Sequence, residues 1–63
     1  MSIHSTAVID PSARLDSSVT VGPYAVIGAE VEIGAETNVE AHAVVSGPAT
    51  IGERNLIGSF ATV

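Results

Sequence analysis

The sequence predicts an all-β solenoid, a coil of short strands joined by tight turns, and three observations carry that prediction. Stepping by six from Ile3 gives Ile9, Leu15, Val21, Ile27, Ile33, Val39, Val45, Ile51, Ile57 and Val63, all aliphatic and with no break in register. Outside those eleven positions the other 52 residues contain only six Ile, Leu or Val. Glycine or proline recurs beside the aliphatic position, and a small residue recurs four places after it.

Numbering each hexad from its aliphatic residue, position two holds Gly22, Gly28, Gly34, Gly52 and Gly58, preceded by Asp10 and Asp16. Position three holds Pro11, Pro23 and Gly47. Glycine reaches positive φ without strain and proline fixes φ, so positions two and three are expected to form a corner. Position five is small at Ala7, Ala13, Ala25, Ala43, Ala49 and Ala61, with Val19, Val31, Thr37 and Asn55 as larger exceptions. A period of six fits neither a helix at 3.6 nor plain alternation at 2. Glycine or proline at nearly every turn would also break a helix. Alternation along a strand sends positions one and five inward and positions four and six outward. Each hexad is then one wall of a polygon.

Composition narrows the function classes. Apolar residues make up 46% of the 63, an ordinary globular share, while charged residues are 14% against about 25% in typical domains. With no cysteine there is neither a disulfide nor a thiolate metal site, and a reducing compartment is favoured. Seven acidic residues against Arg14 and Arg54 give a net charge of −5 and no basic stripe, which argues against nucleic acid. The opening Met1-Ser2-Ile3-His4-Ser5-Thr6 has no basic and apolar signal pattern, and no apolar run nears the ~20 residues of a membrane span. A cytoplasmic protein without membrane insertion is expected.

The hexad spacing resembles the hexapeptide-repeat left-handed parallel β-helix. That resemblance implies three hexads per 18-residue coil, about 3.5 coils for 63 residues, and the left hand, a departure from the usual right-handed crossover. At ~4.8 Å between strands the prism is roughly 17 Å tall. The whole chain, residues 1–63, is expected to be one partial β-helix domain made of N-terminal coils, with further coils and a helical C-terminal region to follow in a complete member.

Eighteen residues per coil sorts the outward positions by wall. One wall collects Thr6, Val8, Tyr24, Val26, His42, Val44, Phe60 and Thr62, including both Tyr24 and Phe60, the only Tyr and Phe of the chain. The second carries Ser12, Arg14, Glu30, Glu32, Pro48 and Thr50, and the third Ser18, Thr20, Glu36, Asn38, Arg54 and Leu56. A continuous apolar stripe marks a contact surface. Tyr24, Val26, His42, Val44 and Phe60 are therefore expected to pack against neighbouring subunits of a homotrimer, the assembly the resemblance implies.

The wording of several segments is closer still. Ile3-His4-Ser5-Thr6-Ala7-Val8-Ile9-Asp10-Pro11-Ser12-Ala13 resembles the opening of the UDP-N-acetylglucosamine O-acyltransferases of lipid A synthesis. So do Val21-Gly22-Pro23-Tyr24-Ala25-Val26-Ile27-Gly28, His42-Ala43-Val44-Val45-Ser46-Gly47-Pro48 and Ser59-Phe60-Ala61. At Gly58-Ser59 the chain departs from the aromatic or Tyr-Gln pair usual in that family. The resemblance implies a parent enzyme that transfers a hydroxyacyl group from acyl carrier protein to the glucosamine 3-hydroxyl of UDP-N-acetylglucosamine, with no cofactor. Its catalytic histidine lies beyond the matched region, so no catalytic, cofactor or metal residue is assigned in this chain.

His42 and His4 are the residues that invite an active-site reading. A general base needs an orienting partner and a cleft, and the sequence supplies neither to His42, which reads as part of the apolar stripe. His4 reads as a corner residue, and two histidines fall short of a three-ligand zinc site. Glu30, Glu32, Glu36, Glu40 and Glu53 read as solvated. Three other assignments compete. The N-acyltransferase of the same pathway and the acetyltransferases carry extra domains before the helix, whereas here the register begins at Ile3. A hexapeptide-type carbonic anhydrase needs three metal histidines and an Arg-Gly-Asp turn where this chain has Ser46-Gly47-Pro48. A non-catalytic scaffold describes the 63 residues taken alone.

Overall fold

A computed structural model of the chain describes residues 2–63. It has ten short strands and no helix: β1 (Ser2–Ile3), β2 (Val8–Ile9), β3 (Arg14–Leu15), β4 (Thr20–Val21), β5 (Val26–Ile27), β6 (Val31–Ile33), β7 (Asn38–Val39), β8 (Val44–Val45), β9 (Ala49–Ile51) and β10 (Leu56–Ile57). Every pairing is parallel, and the strands sort into three sheets, β1-β4-β7-β10, β2-β5-β8 and β3-β6-β9. Successive strands of one sheet are always three apart in order. The chain is therefore a three-walled solenoid of three coils and the start of a fourth, about 20 Å across in each direction.

The register is eighteen residues throughout. Ile3 pairs with Val21, Val21 with Val39, and Ile57 with Val39. Leu15, Ile33 and Ile51 form the second inner column, and Ile9, Ile27 and Val45 the third. Between coils the amides point along the solenoid axis: Val8 N–H reaches Ala25 O at 2.9 Å and Gly28 N–H reaches Val45 O at 2.7 Å. Because each wall contributes one aliphatic and one small inward residue, the interior fills without aromatic side chains. The buried core is Val19, Val21, Ala25, Ile27, Val31, Ile33, Val39, Ala43, Val45 and Ile57, all from positions one and five. Thr37, also at position five, is the buried polar member. Its hydroxyl donates to Gly52 O at 2.8 Å and accepts from Asn55 N at 3.3 Å, so it carries no unmet bond.

The corners differ from the sequence-based expectation. They form at positions three and four, one residue later than expected, and no glycine has positive φ. The left-handed residues are Tyr24, Glu30, Glu36, His42, Arg54 and Phe60, with φ between 53° and 62°, and all stand at position four. Glycine at position two serves close approach instead. A Cβ on Gly22 would sit 2.9 Å from Ala41 N, and one on Gly34 would sit 2.9 Å from the Gly52 carbonyl carbon. Neighbouring coils touch backbone to backbone there, leaving no room for a side chain. Position four points outward as expected, but from a corner rather than from a flat wall.

Candidate functional site

The apolar stripe is built by two neighbouring features. On the outer surface of the β2-β5-β8 sheet, Val8, Val26 and Val44 stand in register, one per coil, and Val44 continues to Thr62. At the corner leading into that sheet, Tyr24, His42 and Phe60 stand one above another. The Tyr24 and His42 rings lie 5.2 Å apart and 16° from parallel. His42 and Phe60 lie 4.9 Å apart and 5° from parallel. The left-handed backbone at all three residues sends each ring away from the prism at the same angle, and the strand spacing then sets the rings at stacking distance.

All five residues of the expected contact surface thus come together along one edge. Tyr24 and Phe60 are 60% and 76% exposed, Val26 is 38% exposed, His42 is exposed and Val44 is half-buried. Sequence spacing puts the rings in one column but not face to face. That stack depends on the positive φ at position four, for which non-glycine residues give no signal in a single sequence. Leu56, 67% exposed, lies apart from this edge on the outer face of β10.

The remaining polar groups are arranged as turns. Asp10 Oδ1 accepts from the Ser12 amide at 2.9 Å and hydroxyl at 2.7 Å. Asp16 Oδ2 accepts from the Ser18 hydroxyl at 2.8 Å and amide at 3.1 Å. These bonds hold both carboxyls below the usual aspartate value, at Asp10 chiefly through the Ser12 amide and at Asp16 chiefly through the Ser18 hydroxyl. His4, read from sequence as an idle corner residue, holds a turn of the same kind through Nδ1, which accepts from Thr6.

No cluster of three or more potential metal ligands occurs among the described residues. An open hollow of about 670 Å³ touches Ile3, Ile9, Leu15, Ile33 and Ile51 together with Arg14, Glu32 and Thr50. A smaller one of about 310 Å³ lies among Ser12, Arg14, Glu30 and Glu32. Neither contains a histidine. The His42 ring is flanked by aromatic faces, so the group best suited to accept a proton has no cleft and no orienting carboxylate. What this edge offers is contact area.

No protein-family model and no curated protein sequence matches the chain. Solved structures do. UDP-N-acetylglucosamine O-acyltransferase from Moraxella catarrhalis matches all of the chain at 40% identity with a TM-score of 0.96. In sequence and in fold this chain resembles UDP-N-acetylglucosamine O-acyltransferase. The Francisella novicida UDP-N-acetylglucosamine acyltransferase covers 95% of the chain at 40% identity and a TM-score of 0.93. The Acinetobacter baumannii protein LpxA covers 92% at 50% identity and a TM-score of 0.85. The chain spans about a quarter of the length of these acyltransferases, 24% of the first and 22% of the other two. Residues 2–63 form three coils of solenoid and the start of a fourth. No helix among them is long and apolar enough to cross a membrane.

Proposed function

We propose that the chain is part of an O-acyltransferase that moves a hydroxyacyl group from acyl carrier protein to the 3-hydroxyl of UDP-N-acetylglucosamine, the first step of lipid A synthesis, in the cytoplasm. The supporting observation is the full-length match of the chain to such an enzyme at 40% identity and a TM-score of 0.96. In this reaction the sugar oxygen attacks the thioester carbonyl, the carbon–sulfur bond breaks, and the carrier leaves as its thiol. Residues 2–63 supply no general base for that step. Their part is to hold subunits together: Tyr24, Val26, His42, Val44 and Phe60 form the contact surface of a homotrimer. The ring column is exposed, the valine column is exposed at Val8 and Val26 and half-buried at Val44, and the two run side by side, as a surface that meets a neighbouring subunit should.

Two measurements on the whole protein test this reading. Incubation with UDP-N-acetylglucosamine and a hydroxyacyl carrier protein, followed by mass spectrometry, should give an O-acylated sugar nucleotide and free carrier thiol. Acylation only of an amino sugar would overturn it in favour of the N-acyltransferase. For the contact surface, Tyr24→Glu or Val26→Glu should lower the mass seen by light scattering from trimer to monomer. An unchanged mass would reject that role for the edge.

A further inference from the structure

The corners of the first coil are built differently from all later ones, and the difference lies in where the position-four amide finds its acceptor. In the third coil and beyond, that amide donates to the coil in front: His42 N–H to Pro23 O at 3.0 Å, Arg54 N–H to Ala35 O at 2.8 Å and Phe60 N–H to Ala41 O at 3.3 Å. The remaining corner there holds Pro48, which has no amide to satisfy. In the first coil the donors are met locally. Ser12 N–H goes to Asp10, Ser18 N–H to Asp16 and Thr6 N–H to His4 Nδ1.

The same three hydroxyls then face the second coil. Tyr24 N–H donates to Thr6 Oγ1 at 3.0 Å, Glu30 N–H to Ser12 Oγ at 2.9 Å and Glu36 N–H to Ser18 Oγ at 2.7 Å. At two corners a continuous relay results, from amide to hydroxyl to carboxylate, and such chains strengthen their members. At the third, the Thr6 hydroxyl donates to His4 Nδ1 at 2.8 Å. Because Nδ1 also accepts the Thr6 amide, the ring proton belongs on Nε2.

We infer that the corners of the first coil are self-sufficient: a side-chain clasp at each supplies the position-four amide with the acceptor that in later coils comes from the coil before, and presents a hydroxyl acceptor to the next coil. A backbone donor is met by protein or by water, and the left-handed corner finds its protein partner only in the coil before it. The clasp corner does not need one. Its requirement for a hydroxyl at position four also explains why the aromatic column begins at Tyr24 and not at Thr6.

Amide exchange followed by NMR tests the inference on the whole chain. Ser12→Ala should speed exchange of the Glu30 amide about five- to tenfold, the net worth of one ordinary hydrogen bond. Tyr24, Glu36, His42, Arg54 and Phe60 amides should hold their rates, and Ser12→Thr should restore Glu30. The triple change Asp10→Gly, Pro11→Ala and Ser12→Glu copies the second-coil corner Gly28-Ala29-Glu30 into the first. It should leave the residue-12 amide unprotected and, through loss of the Ser12 hydroxyl, speed Glu30 as well, while the third-coil amides keep their protection. An unchanged Glu30 rate in Ser12→Ala, an equal rise at every amide, or wild-type protection of the copied corner would each overturn the inference.

Discussion

The imidazole of His42 lies 4.9 Å from the ring of Phe60 and within 5° of parallel, although eighteen residues separate them. Tyr24 closes the other face of the same imidazole at 5.2 Å. His42 is thus the middle of a three-ring stack, and its removal breaks two contacts. Aromatic pairs contribute about 0.5–1.5 kcal/mol each beyond buried area, and this stack is exposed, so His42→Ala should lose about 1–2 kcal/mol. His42→Phe keeps both contacts and should stay within about 0.5 kcal/mol of the parent. Urea unfolding of the two variants checks the difference, and equal losses would show that the rings contribute little.

The left-handed corners make a separate prediction. Glu36 has φ 59° with an exposed side chain. Asparagine tolerates this region and β-branched residues do not. Glu36→Asn should therefore raise stability by about 0.5 kcal/mol, and Glu36→Val should lower it by about 1–2 kcal/mol. The order Asn above Glu above Val in thermal midpoint is the test, since β-propensity alone would put Val first.

How much of this was legible in the sequence follows from what repeats. The aliphatic step from Ile3 to Val63 carries the three walls, the eighteen-residue register and the inner columns, because only an unbroken period can fill one interior. The outward Tyr24, His42 and Phe60 were readable as one column for the same reason. The corner was misplaced by one residue because glycine has two physical uses. At position two it suggests a residue that reaches positive φ, whereas Gly22 and Gly34 are there for contact between backbones. A contact with a residue in another coil leaves no mark in local sequence. The clasps of Asp10 and Asp16 were hidden likewise, since an aspartate two places before a serine is common in any turn.

The close approach of neighbouring coils should make alanine costly at a position-two glycine. At Gly34 the added Cβ would meet Gly52 and Glu53 backbone atoms at 2.9–3.0 Å, and backbone cannot swing aside. Gly34→Ala should destabilise by about 1–3 kcal/mol. An unchanged or raised denaturant midpoint in Gly34→Ala would contradict this.

Acid should act on the first coil. The Asp10 and Asp16 carboxyls have folded values below the ordinary 3.8, through their bonds from Ser12 and Ser18. A depressed carboxyl contributes stability that is present above its unfolded value and lost as pH falls through the folded one. The contribution should therefore be whole at pH 6 and shrink below pH 3.8. Asp16 is exposed and Asp10 only partly covered, so the effect is small and screened by salt. Comparing the chain with its Asp10→Ala/Asp16→Ala variant, the stability difference should be larger at pH 6 than near pH 2. A difference that grows on acidification would reverse the sign and refute the assignment.

Thr37 is the last test, because it sets a buried hydroxyl against a buried methyl in an otherwise apolar interior. Its column neighbour Val19 is buried and makes no such bond, so the site accepts valine in shape. Thr37→Val would preserve volume but leave the Gly52 carbonyl and the Asn55 amide each without the hydroxyl that meets them at 2.8 and 3.3 Å. Gly52 and Asn55 are exposed and their bonds part-buried, so leaving them unmet costs about 1 kcal/mol, the low end for buried groups, while the added methyl recovers about 0.8 kcal/mol of apolar burial. The two nearly balance, and Thr37→Val should destabilise by no more than about 0.5 kcal/mol. Thr37→Ser keeps the hydroxyl and gives up a methyl, so the two variants separate bonding from packing. Faster exchange at the Asn55 amide in Thr37→Val, with none in Thr37→Ser, would assign the loss to the hydroxyl. Equal exchange in both would assign it to packing and defeat the prediction.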